Sequence, residues 1–144
     1  MMITSGKDYL LDTNILVFSQ DKESSKHENA IKIIDELELK TKQIFLTIQN
    51  LLEYSAVLSR FYKIPNKQIS EDLKIFIKHP SFKILYPTED VSKEFNILLE
   101  NNPKLYIYDL YLVAYMKTFG IKNIVTDDED FKEIKGINVL NPFQ

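Results

Sequence analysis

No cysteine occurs in the 144 residues, so disulfides, thiolate metal sites and cysteine nucleophiles are excluded. Glycine is nearly as scarce. Gly6, Gly120 and Gly136 are the only three, and neither a phosphate-binding loop nor a dinucleotide fingerprint can be drawn from them. Arginine occurs once, at Arg60, so phosphate contacts would fall mainly to lysine, a flexible point charge rather than a bidentate fork. The two histidines, His27 and His79, sit in polar stretches suited to surface or packing roles, and no Ser/His/Asp triad is visible. No uncharged apolar run reaches membrane-spanning length, and Met1 to Lys7 lacks the basic-then-apolar order of a signal peptide. The expectation is a soluble cytoplasmic protein with no membrane partner.

What is present is an ordinary globular balance, 44% hydrophobic and 27% charged, which predicts one domain over residues 1–144. The formal charge of −3 does not exclude a polyanionic ligand, because removing the five acids singled out below leaves the remainder of the chain at +2.

Along the chain, apolar β-type runs alternate with helical periodicity. Tyr9 to Leu11 reads as a buried strand that stops at Asp12, and Ile15-Leu16-Val17-Phe18 opens a helix. Ser24 or Ser25 is placed to cap a helix striped by Ala30, Ile33, Ile34 and Leu37, and Lys40-Thr41-Lys42 turns into a strand over Ile44 to Ile48. Gln49 to Tyr62 is helical. Beyond Pro65, Asn66 is placed to cap a helix carrying Ile69, Leu73, Phe76 and Ile77 and ending near His79-Pro80. Phe82 to Tyr86 is a third strand, and Thr88 starts a helix closed by Asn101-Asn102-Pro103. Tyr106 to Phe119 is helical with Gly120 as C-cap, Asn123 to Thr126 is a fourth strand, Asp130 to Ile134 a helical turn, and Ile137 to Leu140 a last short strand. Alternation of this kind implies a parallel sheet in a three-layer α/β/α sandwich.

The acids are placed unusually. In an open parallel sheet, ligands bind beyond the strands' C-terminal ends. Asp12 ends the first strand, Glu53 lies early in the helix leaving the second, Asp109 opens the helix leading into the fourth, and Asp128 and Asp130 follow the fourth directly. All five are therefore expected at one rim. Asp109 is the only charged residue between Leu105 and Met116, and Glu53 is boxed between Leu51-Leu52 and Ala56-Val57. Carboxylates gathered in apolar surroundings repel one another unless a cation neutralises them. An oxygen-only ligand set suits Mg²⁺ or Mn²⁺.

Each acid also has an ordinary explanation. Asp12 could be a helix N-cap, Glu53 a solvated helix charge, Asp109 a dipole-favouring acid in a first turn, and Asp127 to Asp130 an acidic turn. All four being innocent together is less economical than one shared site. Tyr106, Tyr108, Tyr111 and Tyr115 fit core and interface positions better than a base-stacking platform, and Lys63, Lys67, Lys74 and Lys78 fit a solvated helix side.

Leu11-Asp12-Thr13-Asn14, Glu53 after Gln49-Asn50-Leu51-Leu52, Asp109 in Tyr108-Asp109-Leu110, Val125-Thr126-Asp127-Asp128-Glu129-Asp130-Phe131 and the closing Val139-Leu140-Asn141-Pro142 resemble, in order and spacing, the PIN-domain ribonucleases, particularly the VapC-type toxins. The resemblance runs from Tyr9 to Pro142. It implies a PIN-like α/β/α fold, a Mg²⁺- or Mn²⁺-dependent endoribonuclease acting on single-stranded RNA such as tRNA or mRNA, a homodimer, and a cognate antitoxin. By motif it implies that Asp12, Glu53, Asp109 and Asp128 are catalytic metal-binding acids, with Asp130 as an additional or water-mediated ligand and Asn14 and Thr126 orienting carboxylates or substrate. Asp127, where the family has some other polar residue, and the scarcity of Arg are departures. The stretch from Phe61 to Pro80 is the expected wall of the substrate groove.

Two other readings compete. A catalytically idle PIN-like module binding RNA or protein would have the same fold but little use for the acids. A phosphohydrolase with a covalent aspartate would carry a second Asp two residues after Asp12, where this chain has Asn14.

Overall fold

A computed structural model describes residues 3–41 and 43–144. Lys42, expected in the turn before the second strand, and Met1 and Met2 of the N-terminal stretch lie outside the described residues.

Five short strands form one sheet: β1 (Tyr9–Leu11), β2 (Ile44–Thr47), β3 (Phe82–Leu85), β4 (Asn123–Val125) and β5 (Asn138–Leu140). All neighbours are parallel, in the order β3-β2-β1-β4-β5, so the first strand in the chain is the central one. Six helices complete the fold: α1 (Thr13–Gln20), α2 (His27–Lys40), α3 (Ile48–Arg60), α4 (Asn66–Lys78), α5 (Glu89–Asn101) and α6 (Ile107–Phe119), with a 3-10 turn at Glu129–Glu133.

Strand side chains alternate between faces. Tyr9 and Leu11 join Ile44, Leu46 and Val125 in a core with α1 to α4, including Ile15, Ala30, Leu37, Leu51, Tyr54 and Phe76. Leu10, Leu85 and Ile124 face the opposite way, into a second core with Val91 and Leu98 of α5 and Leu110 to Met116 of α6. This is the expected three-layer α/β/α arrangement. Helix α6 is buried nearly all round because it lies between the sheet and α5, which explains why polar residues are confined to its ends.

The helix starts differ from expectation in two places. Neither Ser24 nor Ser25 caps α2. The Ser24 hydroxyl accepts from the Lys26 N–H at 3.1 Å and its carbonyl from the His27 N–H, which makes a turn ahead of the helix, and the flanking residue Lys26 offers no side-chain cap. Asn66 is inside the first turn of α4, because Pro65, extended at φ −64° and ψ 146°, takes the cap position and its carbonyl accepts from Gln68 and Ile69. Helix α3 starts one residue before the expected Gln49, since Thr47 ends the strand by capping it. Thr88 caps α5 as expected, its hydroxyl facing the Val91 N–H, and Gly120 closes α6 at φ +73°, the left-handed conformation that a glycine adopts without steric cost.

Candidate acidic site

The two corners nearest the sheet centre are tied by side chains. Asp12 leaves β1 in extended conformation and caps α1, Oδ1 accepting from the Thr13 N–H at 2.7 Å. At the β2–α3 corner, Thr47 and Asn50 form a reciprocal capping box: the Asn50 N–H donates to Thr47 Oγ1 at 3.0 Å, and the Thr47 N–H donates to Asn50 Oδ1 at 2.8 Å. The Asn50 amide then donates to Thr13 Oγ1 at 3.0 Å, binding the start of α3 to the start of α1. Thr13, Thr47 and Asn50 are all buried, so these bonds are made away from competing water.

On the other side of β1, Thr126 follows β4. Its hydroxyl donates to Asp12 Oδ2 at 2.7 Å and accepts from the Asn14 amide at 3.3 Å and the Asp128 N–H at 3.0 Å. The Asn14 amide also reaches Asp12 Oδ2, at 3.4 Å. The Asp128 carboxylate caps the 3-10 turn, accepting from the Asp130 N–H at 2.9 Å. Thr126 and Asn14 thus hold Asp12 and the Asp128 loop in one hydrogen-bonded frame.

Asp12, Glu53, Asp109 and Asp128 line one cleft of about 320 Å³, together with Thr13, Asn14, Val17, Phe18 and Val57. Asp109, Asp128 and Asp130 each present a carboxylate oxygen within 4.8 Å of the others. Asp130 is exposed and stands outside the cleft lining, at its open edge. The ordinary reading of Asp12 as a helix cap is therefore correct and incomplete, because the same carboxylate also faces the cleft. Residues Phe61 to Pro80, expected to wall the groove, contribute nothing to the lining; α1 and α3 make the wall because they flank Asp12 and Glu53 directly. The tyrosines divide by helical position: Tyr111 and Tyr115 pack toward the α5–α6 core, while Tyr106 and Tyr108 remain exposed at the start of α6.

The electrostatics are those of acids taken out of water and, at Asp12 and Asp109, set close to one another. Asp12 is pushed up to about 6, chiefly by burial, with the negative charges of Glu53 and Asp128 adding and the hydrogen bonds from Thr126 and Thr13 opposing. Asp109 is pushed up to about 7 by burial, then by the charges of Asp128 and Asp12. Glu53 is raised by burial and partly lowered by the Gln49 amide. Among the described residues, none of these five acids forms an ion pair, although Asp127 beside them does, with Lys26. The donor set is all oxygen, anionic and without a basic partner, the composition that a hard divalent cation fits.

Thr13, Asn50 and Lys26 were not among the residues singled out from sequence. The Thr-x-x-Asn spacing at Thr47 to Asn50 is a recognisable cap signal for the β2–α3 corner, but the bond from Asn50 to Thr13 and the ion pair of Lys26 have no local signature.

Known structures share this architecture. Mycobacterium tuberculosis VapC20, described as a sarcin-ricin loop cleaving toxin, superposes with a TM-score of 0.72 at 18% identity, over 88% of this chain and 94% of its own. VapBC2 from Rickettsia felis, bound to a DNA fragment from its promoter, gives 0.72 at 21% identity over 92% and 97%, and FitAcB from Neisseria gonorrhoeae gives 0.70 at 18% over 94% and 99%. At these identities the similarity is one of fold. No curated protein matches the sequence significantly. The PIN domain family model, however, matches residues 9–137, from the first residue of β1 to the threshold of β5, and by that match the chain belongs to the PIN domain family.

Proposed function

We propose that this chain is a metal-dependent endoribonuclease that hydrolyses phosphodiesters of single-stranded RNA, and that it is the toxin of a toxin–antitoxin pair. One observation carries the reading: Asp12, Glu53, Asp109 and Asp128, from four separate parts of the chain, share one cleft whose lining, among the described residues, includes no basic side chain. In this reading those four hold Mg²⁺ or Mn²⁺, with Asp130 as an outer ligand. A divalent ion held there supplies Lewis acidity toward water and toward a phosphodiester oxygen, so no side chain need act as nucleophile.

The chain's own residues prepare the site. Thr126 and Thr13 fix both oxygens of Asp12 in direction, and Asn14 supports the same carboxylate from the side. Burial raises Asp12 and Asp109 above the usual aspartate range, so a cation bound there would compete with protons for both carboxylates. Val17, Phe18 and Val57 give the cleft an apolar side next to the acids.

The RNA substrate is supported by the VapC20 toxin, which shares the fold, and the antitoxin partner by the toxin–antitoxin complexes among the similar structures. A second copy of the chain belongs to the same reading. Leu52, 71% exposed, and Tyr106, 61% exposed, offer apolar surface on which such a partner would dock. No helix among the described residues is long and apolar enough to cross a membrane.

The test is cleavage of labelled single-stranded RNA by purified protein, with Mn²⁺ or Mg²⁺ present or chelated, beside Asp109→Asn. Cleavage dependent on the cation and lost in the variant is expected. Cleavage surviving both changes would overturn the mechanism, and cation binding without cleavage would leave a binding module instead.

A further inference from the structure

Four consecutive acids, Asp127 to Asp130, follow β4, yet only Asp128 and Asp130 join Asp109 in the oxygen cluster. Asp127 goes elsewhere. Its carboxylate is paired with the Lys26 ammonium at 2.5 Å, 101 residues away in sequence. That ammonium lies 5.1 Å from the centroid of the Phe18 ring and 5.3 Å from that of Phe143, and the two rings meet edge to face at 5.4 Å. Lys26 is thus placed against two aromatic rings as well as against its counter-ion.

The backbone of Asp127 is fixed too. Its N–H donates to Asn14 Oδ1 at 3.2 Å, and its carbonyl accepts from the amide of Asn141, a buried residue just past β5, at 3.4 Å. Asn141 also donates to Glu129 Oε1 at 3.1 Å. Every polar group of Asp127 is therefore engaged by α1, by the entry to α2 or by the C-terminal segment. Without Lys26, its carboxylate would be an uncompensated charge one residue from Asp128, free to turn toward the cation's ligands or to push them apart.

Resting on the functional reading above, we infer that Lys26 is a positioning residue, which draws Asp127 out of the acid cluster and so holds Asp128 and Asp130 toward Asp109. Lys26 touches none of the cleft's acids, although its ammonium lies over the ring of Phe18, which lines the cleft, and its influence on Asp128 and Asp130 runs through Asp127. Its effect must then vanish when Asp127 carries no charge. A lysine needed merely for packing would matter equally whether residue 127 is charged or not.

Two measurements test this on the full chain, each with Lys26→Met, Lys26→Arg, Asp127→Asn and the double variant Lys26→Met/Asp127→Asn. The first is amide hydrogen exchange at Asp128 to Phe131 in metal-free protein. Lys26→Met is expected to exchange about five-fold faster than the wild type, the double variant and Lys26→Arg at rates close to it. The second is RNA cleavage with Mn²⁺, in which the same order is expected: Lys26→Met slowed about five-fold and the double variant restored. Equal exchange in Lys26→Met and the wild type would overturn the inference. So would a double variant as fast as Lys26→Met, which would reduce Lys26 to packing. A wild-type chain that fails to cleave RNA would count against the functional reading alone, since the exchange rates, measured without metal, still decide the role of Lys26.

Discussion

Thr126 donates its hydroxyl to Asp12 at 2.7 Å, joining two adjacent strand ends that lie 114 residues apart in the chain. The same oxygen accepts from Asn14 and from the Asp128 N–H, so one fully buried hydroxyl sets the direction of two acids. Thr126→Val keeps the shape and removes the bonds. It leaves Asp12 Oδ2 and the Asp128 N–H short of a partner, and a loss of about 1–3 kcal/mol in unfolding free energy is expected. Mn²⁺ affinity should fall about tenfold, as for other residues that orient metal ligands. Thr126→Ser, which keeps the hydroxyl, should retain most of that affinity. Chemical denaturation and calorimetric titration with Mn²⁺ check both statements.

Stability of the metal-free protein should depend on pH in an unusual direction. Asp12 at about 6 and Asp109 at about 7 both stand above the ordinary 3.8 of an unfolded aspartate, so the folded chain binds more protons than the unfolded one between these values. Their contribution is fully present below about pH 4 and is lost as pH rises through about 6 to 7. Melting temperature should therefore decline across that window in chelator. Mn²⁺ should restore it more strongly at pH 7.5 than at pH 5, because the cation must displace protons at the lower pH. Scanning calorimetry with and without the cation reads this directly.

Asp109→Asn should separate activity from stability. Replacing the carboxylate by a neutral amide relieves its burial and its repulsion from Asp128 and Asp12, so the metal-free variant should melt higher than the wild type at pH 7.5. RNA cleavage should fall by more than about a hundredfold, since loss of a ligand exceeds the loss of a residue that only orients one. A variant both less stable and inactive would mean that Asp109 is held by a partner other than a cation.

The β2–α3 corner offers a test away from the acids. Asn50→Ala removes the capping box with Thr47 and the bond to Thr13 at once, all at buried positions. A loss of about 2–3 kcal/mol is expected, more than a typical exposed cap. Chemical denaturation measures it. Cleavage should be reduced as well, because the register of α3 against α1 places Glu53 opposite Asp12.

Elements defined by local chemistry were readable in the chain, and elements defined by distant contacts were not. The apolar run Tyr9 to Leu11, the stripes of α2 and α5, the Thr88 cap and the Gly120 stop all carry their signals within a few residues, and the structure follows them. The misplaced starts at Ser24 and Asn66 come from competing local options, a serine turn and a proline cap. All five acids could be expected at one rim because parallel topology alone brings strand ends together, and four of them line the cleft. The direction taken by Asp127 could not, because it is set by Lys26, Phe18 and Phe143, which only folding brings together.

The position of β1 has a further consequence for how the chain is made. Synthesis delivers Tyr9–Leu11 first, yet one of its two flanking strands, Asn123–Val125, comes out more than a hundred residues later. Until then β1 has an open edge, Asp12 lacks the hydroxyl that orients it, and Asp109 has neither Asp128 nor Asp130 opposite. A nascent chain thus has no complete acid cleft until β4 and the Asp128–Asp130 turn have left the exit tunnel.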